Sequence, residues 1–263
     1  MQRDVFSRLE LDVSSPATLV LSIAVSDPRA AETLSITSDG VPVQPRELAG
    51  DHGARLHVVD AQPGRLFVQY DARVLGHHPA DDDDDEADRL RLLRPSRYCE
   101  SDSLSPTARA EFAGLSGSEL LGAVASWVGT RLAYVPGSSL PTDGAVRTLL
   151  ARQGVCRDYA HLVVALLRAL DVPARLVAVY APGLDPMDFH AVAEAWVEGA
   201  WHVVDATTLA PRGTLVRIST GRDASDTAFL SVYGGFAELV NVEVGAVVDF
   251  LPDDDMFRLA RIG

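Results

Sequence analysis

The sequence predicts an α+β protein in which an N-terminal all-β module precedes helices packed on an antiparallel sheet. Over the first seventy-five or so residues, apolar and polar residues alternate in short runs separated by turn residues. After that point helical patterns come first and strand patterns follow, an order typical of α+β architecture. The 263 residues, 47% of them hydrophobic, are enough to bury a sizeable core. We therefore predict two domains, residues 1–95 and residues 96–263.

The N-terminal module is predicted to be a small β-sandwich or meander. Runs such as RLELDV, TLVLSIAV and RLFVQYDARV alternate with period two, and SDG, GDHG and QPG lie between runs. The acidic segment HHPADDDDDEAD follows, with a loop predicted over residues 81–88. A solvated, self-repelling linker is the favoured interpretation of this charge block. A cation-binding site that uses His77 and His78 is the alternative.

Three helices and then four strands are predicted for the second half. The first helix starts near Ser116 and Glu119, which have capping-box spacing. The second helix takes Thr142 or Asp143 as its N-cap and Gly154 as its C-terminal glycine. The strands that follow are ARLVAVY, HAVAEAWVEGAWHVV (as a hairpin), TLVRIST and AELVNVEVGAVVDF. Together these strands predict one antiparallel sheet beneath the helices.

The charge and the cysteine content narrow the class of protein. A net charge of −14 and a pI near 4.8 repel phosphates and anionic lipids, so neither nucleic acid nor membrane is an expected partner. The first residues, MQRDVFSRLELDV, contain no apolar core of a signal peptide, and two cysteines make no disulfide framework. We expect a soluble cytoplasmic protein with no cofactor. No metal is expected, since no His/Cys/Asp cluster has ligand spacing.

Cys156 begins the third predicted helix, which is apolar on nearly all faces and therefore central to the core. Gly154 turns the chain just before it, so the thiol lies beside unpaired N–H groups and the positive end of the helix dipole. Both favour the nucleophilic thiolate, and the Cys156 N–H can supply half of an oxyanion hole. The alternative is a small hydrophobic residue in the core, the usual role of a free cysteine.

A cysteine nucleophile needs a histidine as base and a third group to orient it. His190 begins a predicted strand, and a two-residue turn at residues 198–199 places Asp205 opposite Val192. Since Val192 shares a sheet face with His190, His190 and Asp205 become diagonal neighbours. The alternative for Asp205 is a routine turn residue at the end of a strand.

The remaining histidines fit this arrangement less well. His161 lies about one and a half helical turns after Cys156 and points to another side of the helix. His202 falls on the opposite sheet face in the predicted register. The other four histidines, His52, His57, His77 and His78, lie in the β-module or beside the acidic segment.

Three segments together resemble the transglutaminase-like superfamily, whose members share a papain-like cysteine catalytic core. They are YVPGSSLPTDGAVRTLLARQG, GVCRDYAHL and FHAVAEAWVEGAWHVVDAT, and they cover roughly residues 127–212 in the family's order. The β-module and the later GRDASDTAFLSVYGG are similar to regions of bacterial members. The resemblance implies Cys156 as nucleophile, His190 as general base and acid, and Asp205 as the orienting acid.

The sequence departs from the family pattern at two positions. Val192 stands where many members have tryptophan, and Ala206 stands where many have proline. Neither change touches a catalytic atom, so both bear on the substrate class. Tyr134 and Trp127 are the candidates for the second oxyanion donor.

The expected function is a cysteine enzyme that attacks an amide or peptide carbonyl, forms a thioester and passes the acyl group to water. Its expected partner is a peptide, a protein or a small amide. A protein-glutamine acyltransferase, which passes the thioester to an amine, is a second possible function. A non-catalytic binding or scaffold protein on the same fold is a third, and a metal-binding module built on the acidic segment is a fourth.

Overall fold

The computed structural model describes residues 1–79 and 85–263, and its architecture confirms the predicted α+β class. Its strands are β1 (Gln2–Ser15), β2 (Ala17–Leu21), β3 (Ala31–Ser38), β4 (Val41–Pro42), β5 (Arg46–Ala49), β6 (Arg55–Ala61), β7 (Gly64–Leu75), β8 (Ala133–Tyr134), β9 (Gln153–Gly154), β10 (Ala174–Tyr180), β11 (His190–Val197), β12 (Ala200–Val204), β13 (Val216–Gly221), β14 (Leu230–Tyr233) and β15 (Phe236–Val248). Its α-helices are α1 (Glu86–Arg91), α2 (Ser101–Phe112), α3 (Gly117–Arg131), α4 (Ala145–Ala151), α5 (Cys156–Ala169) and α6 (Ala224–Thr227).

The N-terminal module is a sandwich of two antiparallel sheets. One sheet has the order β15-β1-β7-β3-β4 and the other the order β14-β2-β6-β5. Every second side chain along most of β1 is buried, because successive side chains of a strand point to opposite faces. Leu11 and Leu66 from the first sheet join Leu19 and Val59 from the second in one apolar core. The predicted sandwich therefore forms, rather than a simple meander.

The last two strands of the chain belong to this sandwich, which corrects the sequence prediction. The sequence pattern predicts AELVNVEVGAVVDF in the sheet beneath the helices. Instead, β15 pairs with β1, with Val5 opposite Ala246. Likewise β14 pairs with β2. Local alternation shows that a strand has one buried face but not which distant strand lies beside it. Residues 96–263 therefore do not form a separate unit, because residues 230–248 complete the sandwich begun by residues 1–75.

Helix α5 is the centre of the second layer, as predicted. It packs on a four-stranded antiparallel sheet with the order β12-β11-β10-β13. Leu162, Val163 and Leu166 of α5 are completely buried between this sheet and the surrounding helices. A helix with apolar residues on nearly all faces requires such cover on every side. None of the described helices is long and apolar enough to cross a bilayer.

Helix α4 starts later than predicted and is capped by a distant side chain. Its N-cap is Gly144 rather than Thr142 or Asp143. The carboxylate of Glu100 accepts a hydrogen bond of 2.8 Å from the Ala145 N–H. A cap supplied by a residue so distant in the chain leaves no local sequence signal.

Two further predicted helix ends also differ. Helix α3 follows Ser116 as expected, but the Ser116 side chain makes no capping hydrogen bond, so the predicted capping box with Glu119 does not form. Helix α4 ends at Ala151, its C-cap Arg152 adopts a left-handed φ of 58°, and Gly154 lies in β9 instead. In addition, α2 precedes the three predicted helices and is not among them.

The acidic segment lies partly outside the described residues, because these omit residues 80–84. Residues 85–88 start α1 instead of continuing a linker, and the Asp85 carboxylate caps it by accepting from the Ala87 N–H at 2.9 Å. Acidic residues favour such a position because they face the positive end of the helix dipole. His77 lies 3.2 Å through Nε2 from the Arg261 carbonyl. The cation-binding alternative stays a prediction.

Candidate active site

Cys156 is the first residue of α5, and the local sequence fixes it there. Val155 is the N-cap, and its N–H donates to the Asp158 carboxylate at 2.8 Å. The Ser139 hydroxyl donates to the same carboxylate at 2.9 Å. A Cβ on Gly154 would lie 2.7 Å from the Asp158 Cβ, so glycine is required where the chain passes the helix start. The thiol therefore lies at the positive end of a 14-residue helix.

His190 and Asp205 meet as the predicted register requires. A two-residue turn at residues 198–199 joins β11 to β12, and Ala193 pairs with Val204. Continued by one residue, this pairing brings Asp205 to the face and end of the sheet where His190 lies. The two atoms His190 Nε2 and Asp205 Oδ2 are 2.9 Å apart. Both side chains are buried.

Asp205 is held in place by a second neighbour. Thr207 donates two hydrogen bonds to Oδ1 of Asp205, one from its N–H at 2.8 Å and one from its hydroxyl at 2.7 Å. Burial would raise the pKa of Asp205, but the charge and hydrogen bond of His190 and the two bonds from Thr207 lower it below its ordinary value. The carboxylate therefore stays ionised and fixes the ring of His190.

His190 is consequently a buried cation at neutral pH. Burial would lower the pKa of His190, but the charge and hydrogen bond of Asp205, with smaller contributions from Cys156, raise it to about 10. Because Nε2 is bound to Asp205, the nitrogen left for Cys156 is Nδ1, which has no hydrogen bond of normal geometry with any described residue. The ring therefore connects a carboxylate on one side with a thiol on the other.

Tyr134, one of the two predicted oxyanion donors, does lie beside Cys156. The short parallel pair of β8 and β9 places Tyr134 next to Gly154. Its hydroxyl lies close enough to Cys156 to interact with both the backbone N–H and the thiol of that residue. Burial and the charge of Cys156 raise the pKa of Tyr134, so the hydroxyl keeps its proton. The Tyr134 hydroxyl and the Cys156 N–H therefore lie on the same side of the site, next to the thiol.

Trp127, the other predicted donor, lies elsewhere, and that prediction is wrong. Its Nε1 donates to the Glu111 carboxylate at 2.8 Å. The indole packs edge-on against Phe112, with ring centroids 5.9 Å apart, and under the guanidinium of Arg131. Trp127 therefore joins α3 to α2 on a face away from the thiol.

The histidines that were predicted to lie outside the site do so in the structure. His161 is completely buried, and its Nε2 accepts a hydrogen bond of 3.1 Å from the Ala224 N–H. Its ring stacks on Tyr98 at 5.2 Å, and burial lowers the pKa of His161 to about 3 in spite of the charge of Asp223. His161 is therefore a neutral structural histidine. His202 pairs across from residue 195, on the other face of the hairpin.

A cavity of about 450 Å³ lies alongside Cys156 and His190. Most of its walls are apolar or small, with a few polar side chains near the thiol; they include Ser22, Ser139, Val155, Arg157, Leu176, Ala178, Asp188, Phe189, Ile218, Phe229 and Leu230. Phe189 and Phe229 stack at 4.9 Å. Sequence analysis missed Asp188 and Phe189, although both directly precede His190 in the chain.

A second, larger cavity of about 540 Å³ lies between the sheet and the sandwich, away from Cys156. Glu194 is completely buried on its wall and forms ion pairs with Arg175 at 2.8 Å and with Arg217 at 2.5 Å. Burial would raise the pKa of Glu194, but the two arginines lower it to about 2. These three side chains join β10, β11 and β13, and so they help to fix the strand that begins at His190.

Comparison with known proteins identifies one family model and several related proteins. Residues 112–206 match the model of the transglutaminase-like superfamily. The crystal structure of a Cytophaga hutchinsonii protein, provisionally described as a cysteine protease, has a TM-score of 0.86 and 33% identity, and the match covers 97% of this chain and 94% of that chain. An uncharacterized Mycobacterium leprae protein is 30% identical over 122 residues, which are 43% of this chain and 44% of that protein. An uncharacterized Mycobacterium tuberculosis protein is 39% identical over 87 residues, and the chain spans 28% of its length.

Proposed function

Since this chain belongs to the transglutaminase-like superfamily, we propose that it is a cysteine enzyme that hydrolyses amide or peptide bonds through a thioester on Cys156. One observation carries the proposal. The thiol at the start of α5 adjoins a buried His190, and Asp205 holds the other nitrogen of that ring at 2.9 Å. This is the nucleophile, base and orienting acid that acyl transfer requires.

In the acylation step each catalytic residue has one role. The Cys156 thiolate attacks the carbonyl carbon, and the carbonyl oxygen becomes an oxyanion that accepts from the Cys156 N–H and the Tyr134 hydroxyl. His190 then gives its Nδ1 proton to the leaving nitrogen as the C–N bond breaks. An amine leaves, a thioester remains on Cys156, and Asp205 keeps the ring oriented.

Deacylation reverses these roles. A water molecule loses a proton to Nδ1 of His190 and attacks the thioester carbon. The C–S bond breaks, the carboxylic acid leaves and the thiolate of Cys156 is restored beside the imidazolium. Asp205 stays ionised throughout, since its pKa lies below the ordinary value.

Two features favour water over an amine as the second acceptor. Tyr134 is 40% exposed and Cys156 is partly exposed, so solvent reaches the reacting atoms. Exclusion of water, which transfer to an amine requires, would need a closed channel there. The tryptophans offer none: Trp196 and Trp201 pack against each other at 5.5 Å, and Trp127 lies on α3. Transfer to an amine is the second candidate reaction.

The test supplies a panel of labelled acyl-glutamine, peptide and small-amide donors with and without millimolar primary amine. Mass spectrometry counts the free acid and the amide adduct. We expect the free acid to dominate and to disappear in Cys156→Ala. If the adduct exceeds the acid even at low amine, the enzyme is an acyltransferase. If neither product forms and Cys156 reacts no faster than Cys99 with alkylating reagents, the chain is a scaffold.

A further inference from the structure

We infer that Asp188 makes this cleft selective for substrates that carry a positive charge close to the scissile amide. The inference rests on the proposed function for the site of action and adds the substrate class. It starts from the position of one carboxylate on the cavity wall that also holds Cys156 and His190.

Asp188 is fixed next to the reacting groups. Its Oδ1 accepts a hydrogen bond of 2.7 Å from the Phe189 N–H, and Phe189 is anchored by stacking on Phe229. The carboxylate is close enough for its charge to act on both His190 and Tyr134. It therefore shares the cavity wall with Cys156 and His190.

No arginine neutralises this carboxylate in the described part of the chain. Arg157 also lines the cavity, but its Nη2 donates to the Ser139 hydroxyl and the Leu140 carbonyl and also pairs with Asp158. Oδ2 of Asp188 accepts no hydrogen bond from a described residue. The cavity wall thus presents the Asp188 carboxylate among mostly apolar residues, with one of its oxygens available to bind a ligand.

A carboxylate in this position favours one substrate chemistry. An ammonium or guanidinium a few carbons from the leaving nitrogen reaches Asp188 while the scissile carbonyl lies over Cys156. An anionic group there meets repulsion instead. Asp188 is exposed at the surface, but desolvation by the atoms packed around its carboxylate raises its pKa, and a bound cation offsets that cost because it favours the charged form. Lysine-like or diamine leaving groups therefore fit the site better than neutral groups of the same length.

The first test measures the electric field at the thiol without any turnover. Cys156 is modified by methanethiosulfonate reagents of similar size that carry an ammonium, no charge or a sulfonate; a disulfide forms and methanesulfinate leaves. Peptide mapping gives each rate constant. In Asp188→Asn we expect the ratio of the ammonium rate to the neutral rate to fall about fivefold. Asp185→Asn is the matched control, because it removes one exposed charge from the same loop, and its ratio should change less than twofold.

The second test compares the hydrolysis of an acyl 5-aminopentyl amide with that of the acyl pentyl amide. The wild-type ratio of kcat/KM should favour the cationic amide about tenfold, and Asp188→Asn should bring it close to one. Equal turnover of both amides by the wild type, or an equal change of the reagent ratio in Asp188→Asn and Asp185→Asn, overturns the inference and leaves the proposed function intact. Absence of turnover contradicts the proposed function, and the reagent series then decides the inference alone.

Discussion

Two histidines on either side of the α5 start, His190 and His161, are both almost fully buried, with 2% and 0% of their surface exposed. Their pKa values nevertheless move in opposite directions, to about 10 for His190 and to about 3 for His161. Burial lowers both, since it penalises the charged ring. The difference lies in the partner: a carboxylate faces His190, whereas a backbone N–H faces His161.

The protonation state of a buried histidine is therefore set by the group at hydrogen-bond distance from its ring. Asp205 keeps His190 cationic and ready to give a proton, while the Ala224 N–H requires a neutral, accepting His161. Only the first arrangement suits acid and base chemistry at neutral pH.

Substitution of His190 or His161 by alanine should give the largest difference between the two histidines. His190→Ala should lower kcat/KM for a hydrolysed amide by about 1,000-fold or more, because both proton transfers lose their carrier. His161→Ala should lower it less than tenfold, since that ring lies on α5 away from the thiol. Initial rates on one substrate measure both effects. A larger loss in His161→Ala would mean that the wrong histidine has been assigned as the base.

Asp205→Asn breaks the carboxylate contact and keeps the shape. We expect kcat to fall by about 100-fold to 10,000-fold with the fold retained, because the amide no longer stabilises the imidazolium or fixes its tautomer. Circular dichroism checks the fold, and steady-state kinetics gives kcat. Asp223→Asn is the matched comparison beside His161. If Asp205→Asn keeps more than half of the activity, Asp205 is a routine turn residue.

Tyr134→Phe removes one of the two proposed oxyanion donors. The expected loss is about 30-fold to 100-fold in kcat, somewhat less than for a fully buried donor, because Tyr134 is 40% exposed. The Trp127→Phe variant, altered on α3, should change kcat less than threefold. Equal kinetics of wild type and Tyr134→Phe would remove the hydroxyl from the mechanism.

The pH dependence of the free energy of unfolding should reflect the ionisation of both His190 and His161. The pKa of His190 is raised, so its contribution is full below about pH 6.5 and is lost as the pH rises toward 10. The pKa of His161 is lowered, so its contribution is full above about pH 6.5 and is lost as the pH falls toward 3. Each slope approaches roughly 1.4 kcal/mol per pH unit.

Urea unfolding in a Cys156→Ala background checks these two slopes, because removal of the thiol removes its own ionisation from the proton balance. In this background Asp205→Asn should flatten only the alkaline slope, and His161→Gln should flatten only the acid slope. A free energy of unfolding of Cys156→Ala that is unchanged between pH 7 and pH 9.5 would show that His190 is neutral in the folded state.

The His190–Asp205 contact could be predicted because it depends on local information. A two-residue turn at residues 198–199 fixes the register of the hairpin, and a period of two then assigns each side chain to a face. The helix start at Cys156 is equally local, since it follows from Gly154 and an apolar run. These are interactions between residues close in sequence.

The parts that could not be predicted depend on residues distant in sequence. Strand β15 pairs with β1 across more than 220 residues, and Glu100 caps α4 from 45 residues away. The choice between Tyr134 and Trp127 also required the structure, because it depends on which side of α3 faces the thiol. Alternation and spacing carry no information about such contacts.

The reactivity of the two cysteines tests the central claim most directly. Cys156 adjoins an imidazolium, whereas Cys99 is completely buried and burial raises its pKa to about 12. Iodoacetamide is applied at pH 6.5, where an ordinary thiol is about 1% ionised, and peptide mapping follows each site in wild type and in His190→Ala. We predict that Cys156 reacts at least about tenfold faster than Cys99 and that His190→Ala slows the modification of Cys156 itself by about tenfold or more. Equal, slow modification of both thiols would contradict the account.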